Sequence, residues 1–165
     1  MGHTSPAETL TKDLLEIWNN RLYSEIPGVV SESFVMYDPV APEDDVTGPK
    51  WEVHGPDGLE EFIREVVLGF PDFHVEILEM SANEDVAMYE GIITLTHTGT
   101  YYWIPPTNQE ATFRYMGITR IEDGKVDEHR VYFDLQVVVE QLGLALPSII
   151  FHLPRLVWAK LREIT

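Results

Sequence analysis

The chain has no cysteine. That excludes disulfides and thiolate metal sites and leaves the redox compartment open. Lysine is almost as scarce, present only as Lys12, Lys50, Lys125 and Lys160, and 28 acidic residues outweigh 11 basic ones for a net charge of −17. So acidic a surface repels nucleic acid and anionic membranes, and neither is expected as a partner. A salt-adapted protein and an ordinary acidic soluble protein both carry such a charge, which describes solubility and not activity. No run approaches the roughly 18 apolar residues that cross a bilayer. The polar opening MGHTSPAETL has no apolar stretch of the kind a secretory signal needs. A cytoplasmic protein is therefore expected.

Other absences narrow the chemistry. There is no glycine-rich phosphate loop and no nucleophilic serine elbow; Gly55-Pro56-Asp57-Gly58 reads as a turn. His54, His74, His97 and His129 are scattered, without His-x-His or His-x-x-x-His spacing. Neither a metal nor another cofactor is expected.

What is present is a periodic, 44% apolar chain of 165 residues without a low-complexity linker. One domain over 1–165 is expected, with its core at about 7–143 and a helical extension at 146–165. Leu10, Leu14, Ile17, Trp18 and Leu22 recur at helical spacing, which predicts a helix over Ala7 to Arg21 started by Thr4 or Ser5 and Pro6. A short helix is expected at Ile26 to Val30 and a strand at Phe34 to Tyr37. Asp38 to Lys50, rich in Pro, Asp and Gly, reads as a loop. A helix over Asp57 to Leu68 precedes strands at Phe73 to Met80, Val86 to Thr98, Gln109 to Ile121 and Val126 to Phe133. Pro105-Pro106 breaks the third connection, and Asp123-Gly124 marks a tight hairpin. A short helical turn from Leu135 is stopped by Gly143. Helices first and a long meander afterwards predict an α+β fold with a mostly antiparallel sheet.

The segments HGPDGLEEFIREVVLGFPDFHVEI (54–77), THTGTYYWIPPTNQEATFRYMGITRIEDGKV (96–126) and EHRVYFDLQVVVEQLG (128–143) resemble the SnoaL-like polyketide cyclase family of the nuclear transport factor 2-like superfamily. They stand in the family's order and spacing over about two thirds of the chain. The resemblance implies a cone-shaped, curved, mostly antiparallel sheet of the cystatin-like kind. Together with N-terminal helices the cone encloses an apolar pocket. It also implies cofactor-free aldol cyclisation with an Asp as acid/base, and that Asp aligns with Asp134.

Asp134 also stands out by itself, as a lone acid among Tyr132, Phe133, Leu135 and Val137 where a strand gives way to a helix. Its other reading is as the N-cap of that helix. Strand alternation about the Asp123-Gly124 turn places Phe113, Tyr115, Gly117, Thr119, Glu128, Arg130, Tyr132 and Asp134 on the pocket face. Met116, Ile118, Val131 and Phe133, with Arg114, Arg120 and His129, then fall on the outer face, where a homodimer contact is expected. A one-residue bulge would exchange the faces.

The expected site is thus Asp134 as general acid/base with Phe113, Tyr115, Arg130 and Tyr132 around a small apolar or aromatic, ketone-bearing substrate. His54 and His97 stand at the rim. Burial would raise the Asp134 pKa and strengthen it as a base, and Tyr132, Arg130, Tyr115 or His54 would steady an enolate. Arg130 beside Asp134 would instead lower that pKa. It departs from the aromatic residue family members often carry there. The resemblance also implies an alternative, epoxide hydrolysis, which relatives in the superfamily perform with an Asp–Arg–Asp cluster that activates water; Arg130 beside Asp134 keeps it open, and a second pocket carboxylate, Glu128 or Glu90, would favour it. A non-catalytic small-molecule-binding domain is the remaining alternative.

Overall fold

The computed structural model describes residues 4–145. The C-terminal extension expected at 146–165 lies outside them. Helix α1 runs over Pro6–Asn20, with the Ser5 hydroxyl accepting from the Glu8 N–H and Pro6 in the first turn, where its missing N–H costs nothing. Its buried side, including Leu14, Ile17 and Trp18, is the apolar stripe read from the sequence. The helix stops at Arg21, which takes a left-handed φ of 57°. The Asn19 side chain closes two hydrogen bonds of 2.8–2.9 Å with the backbone of Val75. This joins α1 to the sheet edge.

After α2 (Ile26–Val29) come β1 (Val30–Tyr37), β2 (Glu52–His54), α3 (Gly55–Gly69), β3 (His74–Ala82), β4 (Val86–Thr96), β5 (Glu110–Glu122), β6 (Lys125–Phe133) and α4 (Leu135–Gln141). The six strands form one curved, open, mixed sheet in the order β2-β1-β6-β5-β4-β3. All neighbours are antiparallel except β1 and β6, which run parallel. The α+β expectation holds. Strand β1 begins four residues before the expected Phe34, and β2 was not foreseen. Helices α1 and α3 cover one face, and the core gathers there around Leu14, Ile17, Phe34, Phe62, Ile63 and Tyr89. Among the described residues no helix is long and apolar enough to cross a membrane.

Two local features set the interior. On β4 and β5 each tyrosine pairs with a glycine: Tyr89 with Gly117, and Gly91 with Tyr115. A methyl at Gly117 would come within 2.1 Å of the Tyr89 ring, and one at Gly91 within 2.5 Å of the Tyr115 ring. The two rings lie over these glycines and meet edge to face at 5.6 Å.

The second feature is a bulge. The hairpin turns at Asp123-Gly124 with both φ positive, and Ile121 pairs with Val126 as expected. Arg120 then pairs with Glu128, leaving Asp127 without a partner. The Asp127 carboxylate accepts hydrogen bonds of 2.6 Å from Ser31 and Ser33 on β1. One extra residue reverses the side-chain phase of everything after it. The expected faces are therefore corrected for β6. His129, Val131 and Phe133 turn inward, while Glu128, Arg130 and Tyr132 turn outward beside Arg114, Met116 and Arg120. The faces of β5 stand as expected.

Candidate functional site

Between the helices and the inner sheet face lies a cavity of about 200 Å³. Trp18 and Phe62 wall it from α1 and α3, Phe113 and Val131 from the sheet, and Val138 and Leu142 from α4 and the residue after it. Among the described residues, six bring an ionisable group or a nitrogen- or oxygen-based hydrogen-bonding group to this apolar lining: Trp18, Asp38, His97, Tyr101, Tyr115 and His129.

Asp38 follows Phe34 and Met36 on the inward phase of β1 and is 7% exposed. Pro39 ends the strand, and the carboxylate Oδ1 accepts from the Val40 N–H at 2.9 Å. Burial pushes the Asp38 pKa up from 3.8 to about 6, with that N–H opposing part of the rise. At neutral pH the group is a carboxylate, and a stronger base than an ordinary aspartate.

The other polar groups are neutral. His129 lies opposite Met36 of β1 and is bonded through Nε2 to the Tyr89 hydroxyl at 2.7 Å. Burial lowers its pKa to about 4. Burial also lowers His97 and raises Tyr101 and Tyr115. His97 Nε2, His129 Nδ1 and the hydroxyls of Tyr101 and Tyr115 are buried and have no hydrogen-bond partner among the described residues. Buried polar atoms are normally satisfied. The four belong to residues that line one and the same cavity.

The sequence-expected residues divide sharply. Phe113, Tyr115 and His97 line the cavity. His54 does not: it is exposed at the start of α3, with Nε2 2.6 Å from Glu52. Arg130 lies on the outer face, bonded to Glu128 at 2.8 Å and placed 4.5 Å over the Tyr37 ring. Tyr132 is 51% exposed on that same face. The pairing of Arg130 with Asp134 therefore gives way to one with Glu128, because the Asp127 bulge turns the guanidinium outward. Asp134 is exposed and caps α4, its carboxylate accepting from the N–H groups of Gln136 and Val137 at 3.0 and 3.3 Å. It does not sit in the apolar enclosure expected of it.

Asp38, His129 and Tyr101 were not anticipated in the site. For Asp38 the signal was present, since alternation from Phe34 through Met36 points it inward. The proline after it made the position read as loop. His129 was hidden by the bulge. Among the described residues no three His, Asp or Glu side chains converge as a metal would require.

The site thus offers one buried carboxylate in an otherwise neutral, apolar cavity. The comparisons with known proteins agree with the architecture. A family model described as SnoaL-like polyketide cyclase matches residues 8–142. No curated protein sequence matches the chain. Among solved structures, IdmH, a candidate polyketide cyclase from Streptomyces antibioticus, superposes with a TM-score of 0.71 at 18% identity, over 83% of this chain and 98% of its own. AclR, a candidate hydroxylase from Streptomyces galilaeus, gives 0.67 at 24% identity, over 87% and 99%. An M. tuberculosis LEH-like epoxide hydrolase gives 0.62 at 16% identity, over 88% and 96%. At these identities the likeness is one of fold.

Proposed function

Because the chain belongs to the SnoaL-like polyketide cyclase family, we propose that its cavity binds an apolar, ketone-bearing small molecule and moves a proton on it without a cofactor, Asp38 serving as general acid/base. One observation carries this reading: the one carboxyl group that lines the cavity among the described residues is buried, with a pKa of about 6. A base poised near the working pH combines the right protonation state with adequate driving force.

In the reaction Asp38 takes a proton from the carbon beside a carbonyl, leaving an enolate. In an aldol closure the enolate carbon attacks a second carbonyl of the same molecule, one carbon–carbon bond forms, and the alkoxide regains the proton from Asp38. Neutral hydrogen-bond donors in the wall steady the enolate oxygen without pairing with the base. Supporting Asp38 over Asp134 for the acid/base role, the Asp134 carboxylate is occupied by the cap of α4. Epoxide hydrolysis by an Asp–Arg–Asp cluster finds less support, since among the described residues no arginine lines the cavity and Arg130 is held outside it.

The test is ligand-dependent thermal stabilisation of wild type, Asp38→Asn and Asp134→Asn against aromatic polyketides, epoxides and steroids. Binding raises Tm by mass action. Any stabilising ligand is then assayed for turnover. Turnover by wild type and Asp134→Asn, with binding but no turnover by Asp38→Asn, is expected. Turnover retained by Asp38→Asn and lost by Asp134→Asn would return the role to Asp134. Binding without turnover in any of them would make this a ligand-binding domain.

The outer sheet face is proposed as a homodimer contact. Its members are Met88 and Met116, half-exposed, with Tyr132 and the ion pairs Arg114–Glu90 and Arg130–Glu128.

A further inference from the structure

His97 is held at its backbone, at one ring face and at Nδ1. Its backbone N–H donates to Gln109 O at 3.0 Å, and its carbonyl accepts from the Asn108 N–H at 2.9 Å. The ring lies against Phe70 at 5.0 Å between centroids. Nδ1 faces Thr107, whose backbone N–H is 3.4 Å away and whose hydroxyl is 3.2 Å away. A backbone N–H only donates, so Nδ1 accepts and the ring hydrogen sits on Nε2. That Nε2 is the buried atom without a partner. Burial lowers the pKa, so the ring is neutral. It offers one N–H and no charge.

Phe70 touches Tyr101 as well, at 5.2 Å, and the Tyr101 hydroxyl is buried and unpartnered. Asp38 lines the same cavity as Tyr101, and its charge adds to the upward push that burial gives the Tyr101 pKa. The cavity lining therefore combines a carboxylate with two neutral side chains that carry a donor, His97 and Tyr101, which flank Phe70.

We propose that His97 is a catalytic residue of this cavity: its Nε2–H donates to the carbonyl oxygen of the bound ketone and holds the negative charge that develops there as Asp38 removes the neighbouring proton. The Tyr101 hydroxyl is the second donor. The inference rests on the reading of the cavity as a ketone site with Asp38 as base. A neutral imidazole suits the task because a charged one would pair with Asp38 and weaken it as a base. Thr107 is the positioning residue that fixes the tautomer.

The experiment uses 2-acetylnaphthalene labelled with carbon-13 at the carbonyl, followed by infrared difference spectroscopy on the full chain. In wild type the carbonyl stretch is expected to move to lower frequency on binding. His97→Phe keeps the ring and removes the N–H. It should abolish most of that displacement and weaken binding roughly 3- to 10-fold, the worth of one hydrogen bond. Asp38→Asn should leave the displacement in place. Equal displacement in wild type and His97→Phe overturns the assignment even if ketones are turned over. A displacement that depends on His97, with no turnover of any ketone, keeps the donor and refutes the catalytic reading of the cavity. Failure of the ketone to bind overturns both. Should His97→Phe not fold, nitrogen-15 spectra of wild type decide: hydrogen on Nε2 supports the proposal, hydrogen on Nδ1 overturns it.

Discussion

Replacing Asp38 by Asn should change how stability depends on pH in a way that exposes an opposing histidine. Burial raises the Asp38 pKa from 3.8 to about 6, so between about pH 4 and pH 6 the folded protein holds more protons than the unfolded chain. Stability then falls as pH rises through that window. At 1.36 kcal/mol for each tenfold change in acidity, the loss is about 3 kcal/mol. His129 behaves in the opposite sense. Its pKa falls from 6.5 to about 4, the folded protein holds fewer protons than the unfolded chain, and stability rises with pH from about 4 to 6.5. That gain is also about 3 kcal/mol. In wild type the two nearly cancel. Asp38→Asn removes one side, so the variant should lose about 3 kcal/mol between pH 7 and pH 4 through His129 alone. The carboxylates of Asp44, Asp127 and Glu128, held low by their hydrogen bonds, act alike in both proteins and drop out of the difference. Urea titrations followed by tryptophan fluorescence from pH 4 to 7.5 supply the stabilities. A difference between the two proteins that stays constant across that range would refute the buried, ionisable carboxyl and the base built on it.

Two further expectations follow from packing. Gly117→Ala drives a methyl into the Tyr89 ring and should disturb the Tyr89–His129 hydrogen bond, costing roughly 1–3 kcal/mol by thermal or urea unfolding; an unchanged Tm would mean the ring moves aside freely. Met116→Glu places a charge in the middle of the outer face and should convert a dimer into a monomer by size-exclusion chromatography with light scattering. A wild type that is already monomeric at tens of micromolar (about the range for a stable dimer) sinks the dimer proposal.

How much was legible differs from strand to strand. The Asp123-Gly124 turn specified the β5–β6 hairpin locally, because both residues tolerate positive φ. Alternation placed Phe113 and Tyr115 correctly on an uninterrupted β5. It failed on β6 because the bulge at Asp127 is held by Ser31 and Ser33, nearly a hundred positions away, and no local pattern announces such a contact. The cap role of Asp134 was readable from its place before Leu135. Its exposure was not, since that depends on how α4 packs against the cavity. Strand β2, three residues long, owes its existence to β1 beside it and has no periodicity of its own to read.

The unpaired Asp127 also bears on how this chain can be compared with its relatives. A strand has two sides and therefore a parity, and Asp127 is where the parity of β6 changes. An alignment that slips by one position there still matches apolar with apolar over Val131 to Phe133, yet it exchanges the inward His129, Val131 and Phe133 for the outward Glu128, Arg130 and Tyr132. At identities near 18% such a slip carries no visible penalty. Roles transferred along β6 are safe only when the bulge itself has been located in both proteins, and a count of residues from the hairpin turn is not enough to do that.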